Sequence, residues 1–252
     1  MVALLGFPLV LSVYIALSDP TSLQRALSDP YFLPALRNTL LLVAIIIPLQ
    51  FLLALSAALL LSKRFPGSSI FTFIFILPLL LSDISASLIW YNIFSYNGYL
   101  NRFLLKVGLV SKPLQLLGFQ YQATEMLAIV VTEVWRATSL IFIIIFAGLQ
   151  FIPKEYFEAA DVFGASRLQK LVYVTLPLLK PSIQVALILR TLYALQIFAP
   201  MWVLTGRDVP VLAGEAYYWY TILLDPQVST IYSLIIAAIS VVFTAIYLRV
   251  TR

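Results

Sequence analysis

Four charged side chains interrupt long apolar runs of the sequence and are the first candidates for a chemical role. They are Asp83, Glu133, Arg136 and Arg190. A charge at the centre of a lipid bilayer costs about 2.5–3.5 kcal/mol on insertion scales, so each would require a partner or a water-filled cavity. Glu133 and Arg136 are three residues apart, a spacing that permits an ion pair on one helix. For Asp83 a structural pairing with one of the arginines competes with a place in a polar pathway.

Helical spacing groups these charges with other residues on two predicted stripes. The first stripe holds Glu133, Arg136 and Leu140, with Trp135 beside it, and the second holds Arg190, Tyr193, Gln196 and Pro200. Aromatic faces and planar polar side chains are the groups that stack on sugars and bond to their hydroxyls. The stripes predict two walls of one polar cavity. The alternative is that the same side chains hold neighbouring helices together.

The residue types that are missing narrow the chemistry. The 252 residues include no cysteine and no histidine. Disulfides, the commonest metal sites and Ser-His-Asp or Cys-His catalytic arrangements are therefore excluded for this chain. The sequence also lacks the GxxxxGK[ST] loop whose backbone amides cradle phosphates. We predict no catalytic residue, no metal and no cofactor in the chain itself, which is not expected to be an enzyme.

The composition is that of an integral membrane protein. Hydrophobic residues make up 62% of the chain and charged residues 11%, whereas soluble domains average about 45–50% and about 25%. The formal net charge of +5 is scattered, without a basic run. Nucleic acid is therefore not an expected partner, and membrane lipid is.

Apolar windows predict six membrane spans, because a helix needs about 20 apolar residues to cross a bilayer. The windows cover residues 2–18, 34–62, 70–94, 124–151, 178–204 and 230–250. We predict one transmembrane domain over residues 1–252. The first window is short and lacks a basic flank, so we expect that an N-terminal segment has been lost. The absence of an A-x-A site disfavours a signal peptide.

The distribution of Lys and Arg predicts the orientation of the spans. One side of the membrane receives Lys63, Arg64, Lys154, Arg167, Lys170, Lys180, Arg249 and Arg252, and the other receives Arg25, Arg102, Lys106, Lys112 and Arg207. This bias predicts that both termini are cytoplasmic. It also places residues 153–177 in the cytoplasm, and the loops 19–33, 96–123 and 205–229 outside.

Residues 153–177 read as an amphipathic helix, a turn and a second short helix. Pro153 suits the first turn of a helix, and Glu155 and Glu158 follow near the positive end of its dipole. Gly164 supplies the break, and Ser166 can cap a second helix before Pro177 opens the next span. The alternatives at this point are a docking element and an interfacial helix that joins two spans.

The same segment resembles a known motif. Glu158-Ala159-Ala160, Gly164 and Val174-Thr175-Leu176-Pro177 resemble the EAA loop of permeases from binding-protein-dependent ABC importers. Asn38-Thr39, Leu77-Pro78, Ala147-Gly148-Leu149-Gln150 and Val203-Leu204-Thr205-Gly206 resemble the carbohydrate branch of the maltose and trehalose type. The chain departs from the family pattern at Phe163, where an acidic residue is usual, and at Arg207-Asp208, where glycines usually follow.

The resemblance implies a fold and a set of partners. The fold would be an all-α integral membrane protein with six transmembrane helices of the maltose-permease (type I ABC importer) type and a cytoplasmic coupling helix between spans 4 and 5. The protein would be located in a prokaryotic cell membrane. It would pair with a second homologous permease, dock on two ATPase subunits that hold ATP and Mg, and accept a sugar from an extracytoplasmic sugar-binding protein by alternating access.

The resemblance also implies roles for individual residues. The coupling residues would be Glu158, Ala159, Ala160, Asp161, Gly164, Ala165 and Pro177. Among them, Glu158 would pair with a basic ATPase residue, Ala159 and Ala160 would permit insertion, and Gly164 would set the angle between the two short helices. The substrate pathway would include Asp83, Trp135, Arg136, Leu140, Arg190, Tyr193 and Gln196. Family sugar-contacting positions also match Ala137, Leu189 and Leu192.

Three other functions are consistent with the sequence, and the last of them is a membrane scaffold or assembly factor without a transport role. The first is an ABC importer permease for a non-sugar solute, which the ligand of the partner binding protein would reveal. The second is an ion-coupled secondary transporter, although such proteins usually have broken helices near the membrane midplane. Here the largest irregularity falls in the predicted cytoplasmic segment.

Overall fold

The computed structural model describes residues 2–63 and 65–250. Its α-helices are α1 (Val2–Leu17), α2 (Ser22–Ser28), α3 (Phe32–Leu61), α4 (Ser68–Ile76), α5 (Asp83–Phe94), α6 (Tyr99–Lys106), α7 (Gln122–Gln150), α8 (Lys154–Val162), α9 (Arg167–Lys170), α10 (Leu176–Leu195), α11 (Ala199–Thr205), α12 (Leu212–Thr221) and α13 (Pro226–Val250). This described part contains no β-strand. Arg64 and Arg252, which contribute to the predicted charge bias, lie outside the described residues.

Four helical runs are long and apolar enough to cross a membrane. They are Phe32–Leu61, Phe119–Gln150, Arg167–Leu195 and Pro226–Arg249. A fifth span results if the bent pair Ser68–Leu80 and Asp83–Lys106 crosses as one. The window at 2–18 corresponds to α1, whose 16 residues are fewer than the ~20 that a bilayer needs. The all-α membrane architecture is confirmed, and the count of six spans stays a prediction.

The third predicted window is not one continuous helix. After α4, the chain tightens into a 3₁₀ turn at Leu77–Leu80 that contains Pro78, and Leu81 then takes an extended conformation. A proline removes a backbone donor and clashes with the preceding turn. The Leu77-Pro78 motif therefore marks the end of one helix before α5 begins at Asp83.

The described chain divides into two compact units. One unit comprises Met1–Ile45, Asp83–Thr132 and Leu192–Val242, and we call it the first unit. The second unit comprises Ile46–Ser82, Glu133–Thr191 and Phe243–Arg252. Each unit is described by itself below.

The second unit has an apolar core built from α3, α7 and α10. Its buried members include Ala54, Ala58, Phe142, Leu179 and Ala186. Small residues allow close helix approach, and Gly148 is the clearest case. A Cβ at this position would lie 2.3 Å from Oγ of Ser182 on α10, which explains the glycine in the Ala147-Gly148 motif.

The first unit is held by aromatic packing and by side chains that bond to loop backbone. The ring of the buried Tyr232 packs edge-on against Phe32, with 5.8 Å between ring centroids. Its hydroxyl and the indole N–H of Trp219 each donate to Oδ2 of Asp29 over 2.8 Å. Asn101 donates to the carbonyl of Leu114 and accepts from its amide. These contacts fix the loops that flank the helices of this unit.

Candidate functional site

The segment 153–177 begins as the sequence predicts. Pro153 is the N-cap residue, with an extended ψ of 143°, and α8 starts at Lys154. Glu155 lies in the first turn, where a carboxylate is stabilised by the helix dipole. The helix ends in paired bonds typical of a glycine cap. The amide of Gly164 donates to the carbonyl of Asp161, and that of Ala165 donates to Ala160, each over 2.9 Å.

Gly164 is required by its backbone conformation rather than by space. Its φ is +69°, and a Cβ there would meet no heavy atom within 4 Å. The left-handed region costs most residues about 1–2 kcal/mol but costs glycine little. The glycine therefore lets the chain leave α8 in this conformation without backbone strain.

A capping box and an ion pair fix the second half of the turn. The amide of Gln169 donates to Oγ of Ser166 over 3.3 Å, and the amide of Ser166 donates to Oε1 of Gln169 over 2.7 Å. Lys170 forms an ion pair with Asp161 on α8. Asp161 is therefore engaged within the segment itself, and the two short helices are clamped across Gly164.

Apolar side chains at the turn face outward. Val162 is 86% exposed and Phe163 is 88% exposed, while Phe157 packs on the apolar core of the second unit. Glu158 and Ala159 are also exposed, and Glu158 has no hydrogen bond or ion pair among the described residues. Exposed apolar residues that lie together mark interaction surfaces. The segment thus presents an apolar tip beside an unpaired carboxylate.

The second short helix is not separate from the following span, contrary to the sequence prediction. After α9, the chain continues through a π-helical stretch at Leu171–Thr175, and the whole run Arg167–Leu195 is helical. Pro177 is the second residue of α10 and does not open the span. The wider π turn accommodates a residue without a backbone donor, and the hydroxyl of Thr175 bonds to the Lys170 carbonyl over 3.2 Å.

The buried charges of the second unit form one cluster. Nη2 of Arg136 lies 2.9 Å from Oε1 of Glu133, which confirms the predicted pairing. Nη2 of Arg190 lies 2.5 Å from Oε2 of the same carboxylate. Gln50 completes the cluster, because Nε of Arg190 donates to its Oε1 and its Nε2 donates to the Glu133 carbonyl, each over 2.7 Å. Each charged side chain of this cluster therefore has a charged partner.

The structure places the remaining predicted pathway residues in different surroundings. Trp135 lines an apolar cavity of about 670 Å³ in the second unit, together with Pro78 and Ser139. In the first unit, Gln196 lines a cavity of about 590 Å³ with Leu192 and Ser233. Tyr193 is 60% exposed, Asp83 is exposed, and Leu140 is half-buried. Arg190 is held in the buried cluster instead of lining either cavity.

Sequence reasoning missed Gln50. Its amide is fully buried and bonds to both Arg190 and Glu133. The signal was present, because Gln50 is a polar residue inside the apolar run 40–61, and polar side chains at membrane depth usually have a specific partner.

The apolar helices define a multi-pass membrane protein, and an exposed helical turn joins two of the long apolar helices. Residues 50–252 match the model of the family described as "Binding-protein-dependent transport system inner membrane component". The chain belongs to this family. Membership does not favour the ion-coupled alternative.

Two curated relatives illustrate the similarity. The chain is 34% identical over 210 residues to the trehalose/maltose transport system permease protein MalF of Thermococcus litoralis, covering 82% of this chain and 70% of that protein. It is 34% identical over 229 residues to the sulfoquinovosyl glycerol transport system permease protein SmoG of Agrobacterium fabrum, covering 89% and 73%.

A solved structure shares the fold. It is a bacterial ABC transporter involved in the import of the acidic polysaccharide alginate, with a TM-score of 0.83 and 19% identity over 100% of this chain and 91% of that chain. At this identity the similarity concerns the fold alone.

Proposed function

We propose that the protein is the permease subunit of an ATP-driven sugar importer. The observation that carries the proposal is the exposed apolar tip of the segment 153–177, found in a member of the binding-protein-dependent transport family. The names of both curated relatives above include a sugar or a sugar derivative. This chain would form half of the translocation pathway, together with a second permease.

The segment 153–177 acts as the coupling element. Its apolar tip, Val162 and Phe163, inserts into a groove of a cytoplasmic ATPase subunit, and the unpaired Glu158 meets a basic residue there. Ala159 and Ala160 allow close approach, because they add little bulk to the docking face. Phosphate chemistry belongs to the ATPase subunits, which bind ATP and Mg. In this arrangement both termini are cytoplasmic.

Rigidity of the segment supports the coupling role. The Gly164 cap, the Ser166 capping box and the ion pair between Asp161 and Lys170 hold α8 against α9. Continuous helix then connects α9 to α10. Movement imposed on α8 is therefore transmitted into the membrane-spanning helix without a flexible linker.

The pathway residues fall into two proposed roles. Tyr193 and Gln196 have exposed side chains, and they present an aromatic face and an amide to a sugar. Trp135 and Leu140 would line the route, and Asp83 would add a carboxylate. Arg136 and Arg190 act through the cluster around Glu133, where they position helices.

Reconstitution tests the proposed function. The permease is assembled in proteoliposomes with its second permease, its ATPase subunits and an external binding protein loaded with labelled trehalose. We expect uptake that requires both ATP and the binding protein. Uptake that proceeds without ATP would overturn the proposal. So would a parallel assay in which the same vesicles and binding protein take up a labelled amino acid but no sugar.

A further inference from the structure

A recess in the first unit is lined by none of the residues assigned to the pathway. It has a volume of about 520 Å³ and is lined by the start of α3, the start of α7 and the loop after α11. Sites for small ligands usually measure about 300–1,000 Å³. The lining residues used below are Tyr31, Arg37, Asn38, Phe119, Gln122 and Asp208.

The backbone around the recess is fixed by side-chain bonds. Nδ2 of Asn38 donates to the carbonyl of Pro210 over 2.9 Å, and Nε2 of Gln122 donates to the carbonyl of Asp208 over 3.1 Å. Arg207, which also lines the recess, bonds to both carboxylate oxygens of Glu215 at 3.0 and 2.5 Å. The recess is therefore preformed rather than assembled from mobile loops.

Arg207 is further held between two aromatic rings. Its guanidinium carbon lies 3.8 Å from the ring centroid of Tyr31 and 3.7 Å from that of Tyr218. Contacts of this kind attract the cation to the ring face. The charge and the donors of Arg207 are thus used within the protein, and this residue forms part of the wall.

Other groups in the recess have unused hydrogen-bonding capacity. The side chains of Arg37 and Asp208 have no hydrogen bond or ion pair among the described residues, and the amide oxygens of Asn38 and Gln122 likewise have no partner there. Arg37 supplies donors only, whereas the carboxylate and amide oxygens are acceptors. Phe119 adds an open aromatic face, since its side chain is 74% exposed.

We propose that this recess is a saccharide-binding site. Hydroxyl groups donate and accept hydrogen bonds, so a sugar can use Arg37 as donor and Asp208, Asn38 and Gln122 as acceptors at the same time. The ring of Phe119 offers a surface for stacking on the apolar face of a sugar ring.

The site would hold sugar outside the predicted pathway. Only the choice of trehalose as the probe rests on the proposed function. Binding is measured by saturation-transfer NMR on the assembled transporter in nanodiscs, with trehalose and without binding protein. The recess variants are Arg37→Ala and Phe119→Ala. The matched controls are Arg102→Ala and Phe103→Ala, which remove an exposed arginine and an exposed phenylalanine from α6 in the same unit.

We expect each recess variant to weaken trehalose binding about tenfold, which corresponds to the loss of one stacking or charged contact. Both control variants should bind trehalose as the parent does. Phe119→Tyr keeps the ring and should retain binding, which separates a lost contact from a misfolded protein. Equal binding by all variants, or no detectable binding by the parent, would overturn the site. So would a result in which Arg37→Ala weakens only the association with the binding protein.

The proposal of a saccharide site in the recess and the proposed importer function can fail independently, and the two failures give different results. The NMR experiment needs no ATP and no transport. If the parent transporter imports trehalose but no binding depends on Arg37 or Phe119, the recess is wrong and the importer stands. If trehalose binds in the recess but uptake never occurs, the site stands and the importer fails.

Discussion

Arg190 and Glu133 form an ion pair shielded from water, with 2.5 Å between Nη2 and Oε2 and with each side chain only 1% exposed. The amide of Gln50 bridges the guanidinium and the backbone of residue 133. The cluster joins α3, α7 and α10 within the second unit. Its strength depends on every member, because the desolvation of a buried charge is offset only while its partner is present.

Removal of the Glu133 carboxylate should therefore be strongly destabilising. We expect Glu133→Leu to lower the free energy of unfolding by about 3–5 kcal/mol, because Arg190 is left buried without its counter-charge. The measurement is denaturant unfolding of the purified chain in detergent. Glu155→Gln removes an exposed carboxylate from α8 and should change stability by less than about 0.5 kcal/mol. Equal effects of the two substitutions would show that the cluster is not a stabilising element.

The left-handed conformation of Gly164 predicts a specific loss of coupling. Gly164→Val should cost about 1–2 kcal/mol through backbone strain and should reduce ATP-dependent uptake by changing the angle between α8 and α9. Gly164→Asn should retain most of the uptake, since Asn tolerates this conformation.

Gly108 provides a matched control for backbone strain. Its φ is +76°, and a Cβ there would also meet nothing within 4 Å. Gly108→Val should cost similar stability but leave the stimulation of ATPase activity by loaded binding protein unchanged. If Gly108→Val and Gly164→Val impair this stimulation equally, the strain acts on stability alone and the coupling role of Gly164 is wrong.

Close contact between α7 and α10 makes Gly148 sensitive to a single methyl group. Gly148→Ala would place a Cβ 2.3 Å from Oγ and 2.8 Å from Cβ of Ser182, and overpacking of this kind costs about 1–3 kcal/mol. The second substitution Ser182→Gly should restore most of the lost stability in the double variant. Thermal unfolding of the four proteins checks this. A double variant no more stable than Gly148→Ala would contradict the contact.

The sequence predicted local features of the molecule better than distant contacts. The turn at 153–177 could be predicted because Gly164 and Ser166 act on backbone groups a few residues away. The pairing of Glu133 with Arg136 was also local. The partners of Arg190 were not predictable in this way, since Gln50 is 140 residues distant in sequence and only the packing of α3 against α10 brings them together.

Two helix boundaries differ from the sequence prediction, and each difference has a local physical cause. Pro177 suggested a new helix start, but a π-helical stretch carries the helix through from α9. Apolar composition made residues 70–94 resemble one span, whereas Pro78 ends the first helix in a 3₁₀ turn. Hydropathy averages over such breaks, so it overestimates the length of uninterrupted helix.

Site-specific crosslinking tests most directly whether α8 is the contact with an ATPase subunit. The chain contains no native cysteine, so Phe163→Cys introduces a unique reactive thiol at the exposed tip, and Phe103→Cys provides an exposed control on α6. In the assembled transporter we predict that a thiol-reactive photocrosslinker on residue 163 joins the chain to the ATPase subunit, and that the yield changes when ATP is added. Crosslinks to the ATPase from residue 103 but none from residue 163 would contradict the account.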